Sequence, residues 1–104
     1  MIKSEFVIKN NLFQSFYVKG HANFDKYNKD LVCSAVTSIV SGSLNGFDIL
    51  YKDDLELIVD NNRISVNIIN NCSEIQLLIS FIFIQLETVA VQYPKYFSLK
   101  KVGE

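Results

Sequence analysis

Residues 20–38 read GHANFDKYNKDLVCSAVTS and predict, in order, the end of a strand, a loop and the start of a helix. Asp30 stands just ahead of the helical part, and a short side-chain acceptor of this kind is a good N-cap. Apolar residues then recur with the i, i+3, i+4, i+7 spacing of an amphipathic helix. They are Val32, Ala35, Val36, Ile39, Val40, Leu44 and Phe47. This spacing predicts a helix from Leu31 to about Leu50.

The residues on either side of this stretch predict two β-hairpins, a second helix and a final strand. Asn10-Asn11 is a plausible hairpin turn because Asn tolerates positive φ, and Asn61-Asn62 marks a second hairpin. Pro94 ends the second helix. The predicted strands are 2–9, 12–19, 55–59, 64–68 and 96–101, and the predicted helices are 31–50 and 73–92. The fold class is therefore α+β, with two helices on one face of a mostly antiparallel sheet, in the order ββαββαβ.

Length and composition narrow the class of protein. A chain of 104 residues predicts one domain, 1–104, and 49% hydrophobic against 20% charged residues is a globular composition. A formal net charge of −1 argues against a protein that binds nucleic acid by neutralising phosphates. Residues 1–6 include Lys3 and Glu5, unlike a secretory signal, and the apolar stretch 75–84 is shorter than the roughly 20 residues of a membrane span. We expect a cytoplasmic protein with no nucleic-acid or membrane partner.

Cys33 and His21 are the residues of this stretch with catalytic chemistry. With Asp30 as N-cap, Cys33 falls in the first helical turn, where unpaired amides and the helix dipole favour a thiolate. His21 is the only histidine. A nearby imidazole would favour the thiolate further and supply a proton to a leaving group. By position alone, Cys33 is equally well a small core residue, and His21 is better interpreted as a surface residue at a strand end.

Two interpretations are open for each of Asp30, Thr37 and Gly20, and one is preferred for Cys72. Asp30 is either the helix cap or an orienter that accepts a hydrogen bond from the His21 ring. The Thr37 hydroxyl either lines the site or bonds back to the helix backbone. Gly20 either leaves room for a peptide backbone or simply ends a strand. Cys72 is best interpreted as structural.

No metal or other cofactor is expected. A site built from Cys33, Cys72, His21 and Asp30 would lack the close paired ligand spacing of zinc sites. In a cytoplasmic chain the two cysteines are also not expected to form a stable disulfide.

The segments 20–22, Gly-His-Ala, and 30–37, DLVCSAVT, together resemble the signature of the ribosomal-processing cysteine protease family, Prp. The resemblance implies that His21 and Cys33 are the catalytic pair. It also implies that the substrate is the N-terminal extension of large-subunit ribosomal protein twenty-seven. Two positions depart from the usual pattern: Asn28 stands where the family has Gly, and Thr37 where it has Ser. Asn tolerates positive φ and Thr keeps the hydroxyl, so both departures are mild.

This resemblance predicts a cysteine endopeptidase in which the Cys33 thiolate attacks the scissile carbonyl and His21 acts as general base and acid. The backbone amides of Cys33 and Ser34 are candidate donors to the oxyanion. The family's aromatic-containing cleavage motif implies an apolar pocket near Cys33. Its candidate lining residues are Phe24, Tyr27 and Phe47. The loop 22–29 would close over the peptide.

Two other functions compete with the protease. A non-catalytic ribosome-assembly factor would bind the same ribosomal protein and use Cys33 for packing. A thiol redox sensor would hold a stable oxidised Cys33 and hydrolyse no peptide.

Two surface features predict partners. In the second helix, Phe81, Phe83 and Ile84 lie outside the apolar stripe that would face the core. We therefore expect a homodimer in which a second subunit covers them. Residues 48–60 carry five acids against one base, Lys52. They are either the solvated face of a hairpin or a segment that attracts a basic ribosomal protein.

Overall fold

Apolar residues alternate with polar ones in the strands, whereas in the two helices they recur every three or four residues. A computed structural model describes residues 1–20 and 27–103, with the backbone alone at 27–30. The strands are β1 (Ile2–Lys9), β2 (Leu12–Lys19), β3 (Leu55–Val59), β4 (Arg63–Ile68) and β5 (Phe97–Gly103), and the helices are α1 (Tyr27–Leu50) and α2 (Ser73–Gln92). The predicted order ββαββαβ is therefore confirmed, although β5 begins one residue later and ends two residues later than predicted.

The strands form one sheet in the order β3-β4-β2-β1-β5. The pairs β1–β2, β2–β4 and β3–β4 are antiparallel, and β1–β5 is parallel. At the β1–β2 turn, Asn10 has φ 55° and Asn11 has φ 64°, which is the left-handed conformation predicted for them. The predicted α+β class with a mostly antiparallel sheet is confirmed.

The core lies between the sheet and the helices, where Phe6 is at the centre of an aromatic cluster. The Phe6 ring stacks on Phe16 at a centroid distance of 4.6 Å and meets Phe83 edge to face at 5.0 Å. Edge-to-face aromatic pairs contribute about 0.5–1.5 kcal/mol beyond the area they bury. Phe83 is therefore a core residue of the protomer, and the prediction that it is surplus to the fold is wrong.

Helix α1 begins at Tyr27, four residues earlier than predicted. Residues 27–30 include neither Gly nor Pro, and once a helix has nucleated each further residue adds a backbone hydrogen bond. Asp30 is consequently the fourth residue of the helix, and the prediction that it is the N-cap is wrong. Asn28 is likewise helical, so it does not supply a positive-φ turn.

Helix α2 begins at Ser73, as predicted, but its N-cap is Cys72, which makes no side-chain capping bond. Gln76 instead ties the helix to β2: its Nε2 donates to the Phe13 carbonyl and its Oε1 accepts from the Phe13 amide, both at 2.8 Å. By length and mean hydropathy (1.6) α2 is apolar enough to cross a membrane. One of its faces packs into the core, through Ile75, Ile79, Ile82, Phe83, Leu86 and Val89. That face is apolar because it is part of the core.

Candidate active site

A cleft of about 160 Å³ opens between α1, the end of β2 and the β3–β4 turn, and Cys33 lies in its wall. Six aliphatic side chains line most of it: Ile2, Val18, Val36, Val40, Val59 and Ile64. Residues 60–63 of the turn supply its polar edge, and Gly20 lines it where the chain leaves β2. The cleft is therefore an apolar recess with a thiol on one wall and a polar rim on another.

The helical repeat of α1 puts Cys33 into this cleft. Cys33, Val36, Thr37 and Val40 follow one another at i, i+3, i+4 and i+7, and such residues share one helix face. Val36 and Val40 are buried at the inner side of that face, whereas Cys33 is half-buried and Thr37 is exposed. The core valines thus fix the rotation of the helix that presents the thiol to the cleft.

The Thr37 hydroxyl contacts the Cys33 thiol. The Sγ and Oγ1 atoms are 3.8 Å apart, a distance at which either group can donate a weak hydrogen bond. Thr37 thus lines the cleft beside Cys33.

The backbone conformation and the close packing at position 20 both require a glycine. Its φ is +99°, and a Cβ at this position would lie 2.6 Å from the Met1 carbonyl oxygen. Its backbone N–H donates to the Asn62 carbonyl at 3.1 Å. Gly20 therefore joins the start of β1 to the β3–β4 turn at the edge of the cleft, one residue before His21.

We expect Gly20→Ala to destabilise the protein by about 1–3 kcal/mol, because it combines a strained φ with a backbone clash. Thermal unfolding measures the change as a fall in Tm. Gly42→Ala is the matched control: Gly42 is inside α1 with no neighbouring atom within 4 Å of an added Cβ, so it should stabilise by about 0.5–1 kcal/mol. An unchanged Tm in Gly20→Ala would contradict this prediction, because it would show that the N-terminal strand can shift to accommodate the added Cβ without loss of stability.

The remaining predicted site residues are dispersed. Ser34 is exposed and lies outside the cleft. Phe47 is 3% exposed and belongs to the core, so the prediction that it lines the substrate pocket is wrong. His21 and Phe24 lie outside the described residues, as does the side chain of Tyr27.

The longer helix also changes the surroundings of the Cys33 backbone. Cys33 is the seventh residue of α1, in the second turn, and from the fifth residue onward an α-helical amide bonds to the carbonyl four residues back. In this conformation the amides of Cys33 and Ser34 are not free oxyanion donors, which corrects that prediction. The dipole of the helix also acts on the thiol more weakly than at a first-turn position.

The β3–β4 turn is the part of the site that the sequence did not predict. Val59, Asp60 and Arg63 line the cleft opposite α1, although residues 60–62 read only as a hairpin turn. The turn is closed by the Asp60 amide, which donates to the Arg63 carbonyl at 2.8 Å. Its placement follows from β4 pairing with β2, which no local pattern specifies.

Comparison with known proteins identifies the family of this fold and site. The sequence model of the family described as cysteine protease Prp matches residues 1–98. The ribosomal processing cysteine protease Prp of Mycoplasma genitalium is 33% identical over 94 residues, which span 86% of this chain and 91% of that protein.

Two solved structures share the fold. The ribosomal processing protease Prp from S. aureus in complex with a substrate peptide superposes with a TM-score of 0.87 at 20% identity, covering 98% of this chain and 100% of that one. Its complex with a covalently linked product peptide gives 0.86 at 21% identity, with the same coverage. The chain belongs to the Prp family of ribosomal processing cysteine proteases and is a cysteine peptidase.

Proposed function

We propose that this peptidase removes the N-terminal extension of large-subunit ribosomal protein twenty-seven in the cytoplasm, with Cys33 as nucleophile and His21 as general base and acid. The observation that carries the proposal is the half-buried Cys33 thiol in the wall of an apolar cleft. Gly20, the residue before His21 in the chain, lines the same cleft. The S. aureus relative with a covalently linked product peptide supports covalent chemistry on this fold.

The proposed reaction has two halves. His21 takes the proton of the Cys33 thiol, the sulfur attacks the scissile carbonyl carbon, and the C–N bond breaks as His21 gives the proton to the departing amine. A water molecule, deprotonated by His21, then hydrolyses the thioester and regenerates the thiol. The Thr37 hydroxyl, 3.8 Å from Sγ, supports the thiolate as a hydrogen-bond donor.

The lining of the cleft suits one aromatic side chain of the substrate. Aliphatic residues make most of the wall, and an aromatic ring that enters such a recess removes a large apolar area from water. We infer that an aromatic residue of the cleavage motif enters this recess, whose aliphatic walls come from β1, β2, β3, β4 and α1.

The direct test is to incubate the protein with full-length ribosomal protein twenty-seven and measure the product mass. We expect two fragments whose masses sum to the substrate plus one water. A non-catalytic assembly factor would bind the ribosomal protein and leave its mass unchanged. A redox sensor would show an oxidised Cys33 and no fragments.

We expect Cys33 to react with iodoacetamide at neutral pH at least about tenfold faster than Cys72, because the proposed reaction makes Cys33, and not Cys72, the nucleophile. Both cysteines are free and half-buried, so neither is shielded from the reagent by full burial. In the proposed reaction this difference depends on His21, so His21→Ala should abolish it. Equal rates in the unmodified protein would contradict an activated Cys33.

The acid at the cleft, Asp60, is better placed to attract a basic substrate than the acids before β3. Asp60 lines the cleft, whereas Asp53 and Asp54 precede Leu55 at the opposite end of β3. The four residue steps of that strand span about 13 Å, which exceeds the ~8 Å Debye length at physiological salt.

We therefore expect Asp60→Asn to lower kcat/KM for the intact ribosomal protein about two- to fivefold and to flatten its salt dependence. Asp53→Asn/Asp54→Asn is the control and should leave both values nearly unchanged. A short uncharged peptide with the same cleavage motif should respond to neither substitution. If the double variant has the larger effect, steering operates through the whole 48–60 segment rather than through Asp60.

We also propose that the enzyme is a homodimer joined through the exposed face of α2. Leu77, Phe81, Ile84 and Val91 are 57–74% exposed, and with Thr88 they recur at intervals of four, three, four and three residues. This is the spacing of a seam that packs on another helix. A second copy of the chain is the proposed occupant because its own α2 presents the same apolar seam, as a twofold contact requires.

A further inference from the structure

Three cations lie side by side on the sheet face that the helices leave uncovered. Lys3 of β1 is directly opposite Lys19 of β2, and Lys19 is directly opposite Arg63 of β4. Residues paired in this way point to the same side of the sheet, and adjacent strands are about 4.8 Å apart. The three side chains, all exposed, therefore form a cationic row about 10 Å long.

Arg63 is held in place within this row. Its guanidinium carbon is 4.0 Å from the centroid of the Tyr17 ring, and its Nε donates to the Ser65 hydroxyl at 3.1 Å. The ring and the hydroxyl fix the side chain while engaging only one of its nitrogens. Its terminal nitrogens keep the forked donors that suit bidentate binding of a phosphate.

No carboxylate of the described residues forms an ion pair with the row. The acid one row away, Glu5, is engaged by Tyr17, whose hydroxyl donates to its Oε1 at 2.6 Å. Like charges directly opposite one another destabilise a sheet. Asp60 lines the same recesses as Arg63 but forms no ion pair with it, so it compensates the row only in part. Three adjacent cations with no ion-pair partner among the described residues favour a ligand with several negative charges.

We propose that this cationic row binds the phosphate backbone of single-stranded RNA. A linear polyanion fits the geometry because its charges repeat along one direction, as the cations do across the three strands. Arg63 also offers a guanidinium plane on which an exposed base can stack, a common feature of single-strand recognition. The row ends beside the cleft, since Lys19 precedes Gly20 and Arg63 lines its rim.

The net charge of −1 does not exclude such a site, because it sums all charges of the chain and does not describe one part of the surface; of the acids in 48–60, Asp60 alone lies beside Arg63. Residues 48–60 hold five of the eleven acids, while the cationic row holds three of the ten bases. The inference is independent of the proposed cleavage reaction, so RNA binding and proteolysis can fail separately.

The test is the fluorescence anisotropy of a labelled 20-nucleotide polyuridine RNA titrated with the full chain at 50, 100 and 200 mM salt. Three phosphate contacts predict a slope of log K against log salt near −2, which is about 20-fold weaker binding at 200 than at 50 mM. Lys3→Gln/Lys19→Gln should reduce the slope to about −0.7. Arg63→Lys should weaken binding but leave the slope of log K against log salt unchanged, because lysine keeps the positive charge and lacks the paired N–H donors of the guanidinium.

The matched control, Lys9→Gln/Lys52→Gln, removes two exposed lysines, one at the opposite end of β1 from Lys3 and one ahead of β3, and should bind as the unaltered protein does. Thermal unfolding of Lys3→Gln/Lys19→Gln should show an equal or higher Tm, since like-charge repulsion is relieved. The proposal is overturned if both double variants lose affinity equally, or if no RNA binding occurs at 50 mM salt. Equal affinity for polyglutamate or duplex RNA would also overturn it, by showing a nonspecific anion site.

Discussion

A Cys33→Ala variant should bind the ribosomal protein substrate and release no product, with cleavage slowed by about 10⁴-fold or more. Removing the sulfur removes the atom that forms the thioester, and the adjacent Thr37 hydroxyl is not a comparable nucleophile at neutral pH. Substrate binding should persist because the aliphatic walls of the cleft come from Ile2, Val18 and their neighbours. Mass spectrometry of the reaction and a pull-down of the uncut substrate measure the two quantities separately.

Cys72→Ala is the control for this experiment, since Cys72 is also a free, half-buried thiol but precedes α2 and does not line the cleft. It should cleave at nearly the normal rate. His21→Ala should slow cleavage nearly as much as Cys33→Ala, because the two residues act on the same proton. Cleavage that survives in Cys33→Ala would identify the protein as a scaffold for another protease or place the nucleophile elsewhere.

The fold was predictable because its elements are specified locally. The β1–β2 turn needs positive φ at two successive residues, and Asn10-Asn11 is a pair that adopts it. The C-terminal end of α2 follows from Pro94, whereas its start has no side-chain cap. Sheet order was not predictable in the same way: β4 pairs with β2 rather than remaining a separate hairpin, and β5 joins β1 in parallel. These pairings depend on packing between segments that are distant in the chain.

The site was predictable only in part, for a related reason. Cys33 lies in a cleft, as its motif indicates, but the helix around it begins at Tyr27 because N-cap preference at Asp30 is weaker than continued helix propagation. Phe47 has an aromatic side chain of the kind that lines apolar substrate pockets. It is nevertheless buried in the core, because its spacing from Val36 and Val40 puts it on the core face of α1. The β3–β4 turn enters the site only through tertiary structure.

The two phenylalanines of α2 that flank Ile82 should give opposite results on substitution. Phe83→Ala should destabilise the protomer by about 3–5 kcal/mol, because it removes a buried ring that packs edge to face on Phe6. For a domain of about 100 residues this corresponds to a fall in Tm of roughly 15 °C or more. Phe81→Ala, at a side chain 61% exposed, should change the unfolding free energy of the monomer by less than about 0.5 kcal/mol.

For dimerisation we expect the opposite order: substitution of Phe81 should have the larger effect. Phe81→Glu puts a charge into the α2 seam of the proposed homodimer, so sedimentation at micromolar concentration should show a folded monomer where the unaltered chain is a dimer. Gln14→Glu is a matched control because Gln14 is exposed on β2 and lies outside α2 altogether. It adds the same charge and should leave the dimer intact. If the unaltered chain sediments as a monomer, the seam does not join two copies, whereas Phe83→Ala should still unfold at a lower temperature because its contacts lie within one protomer.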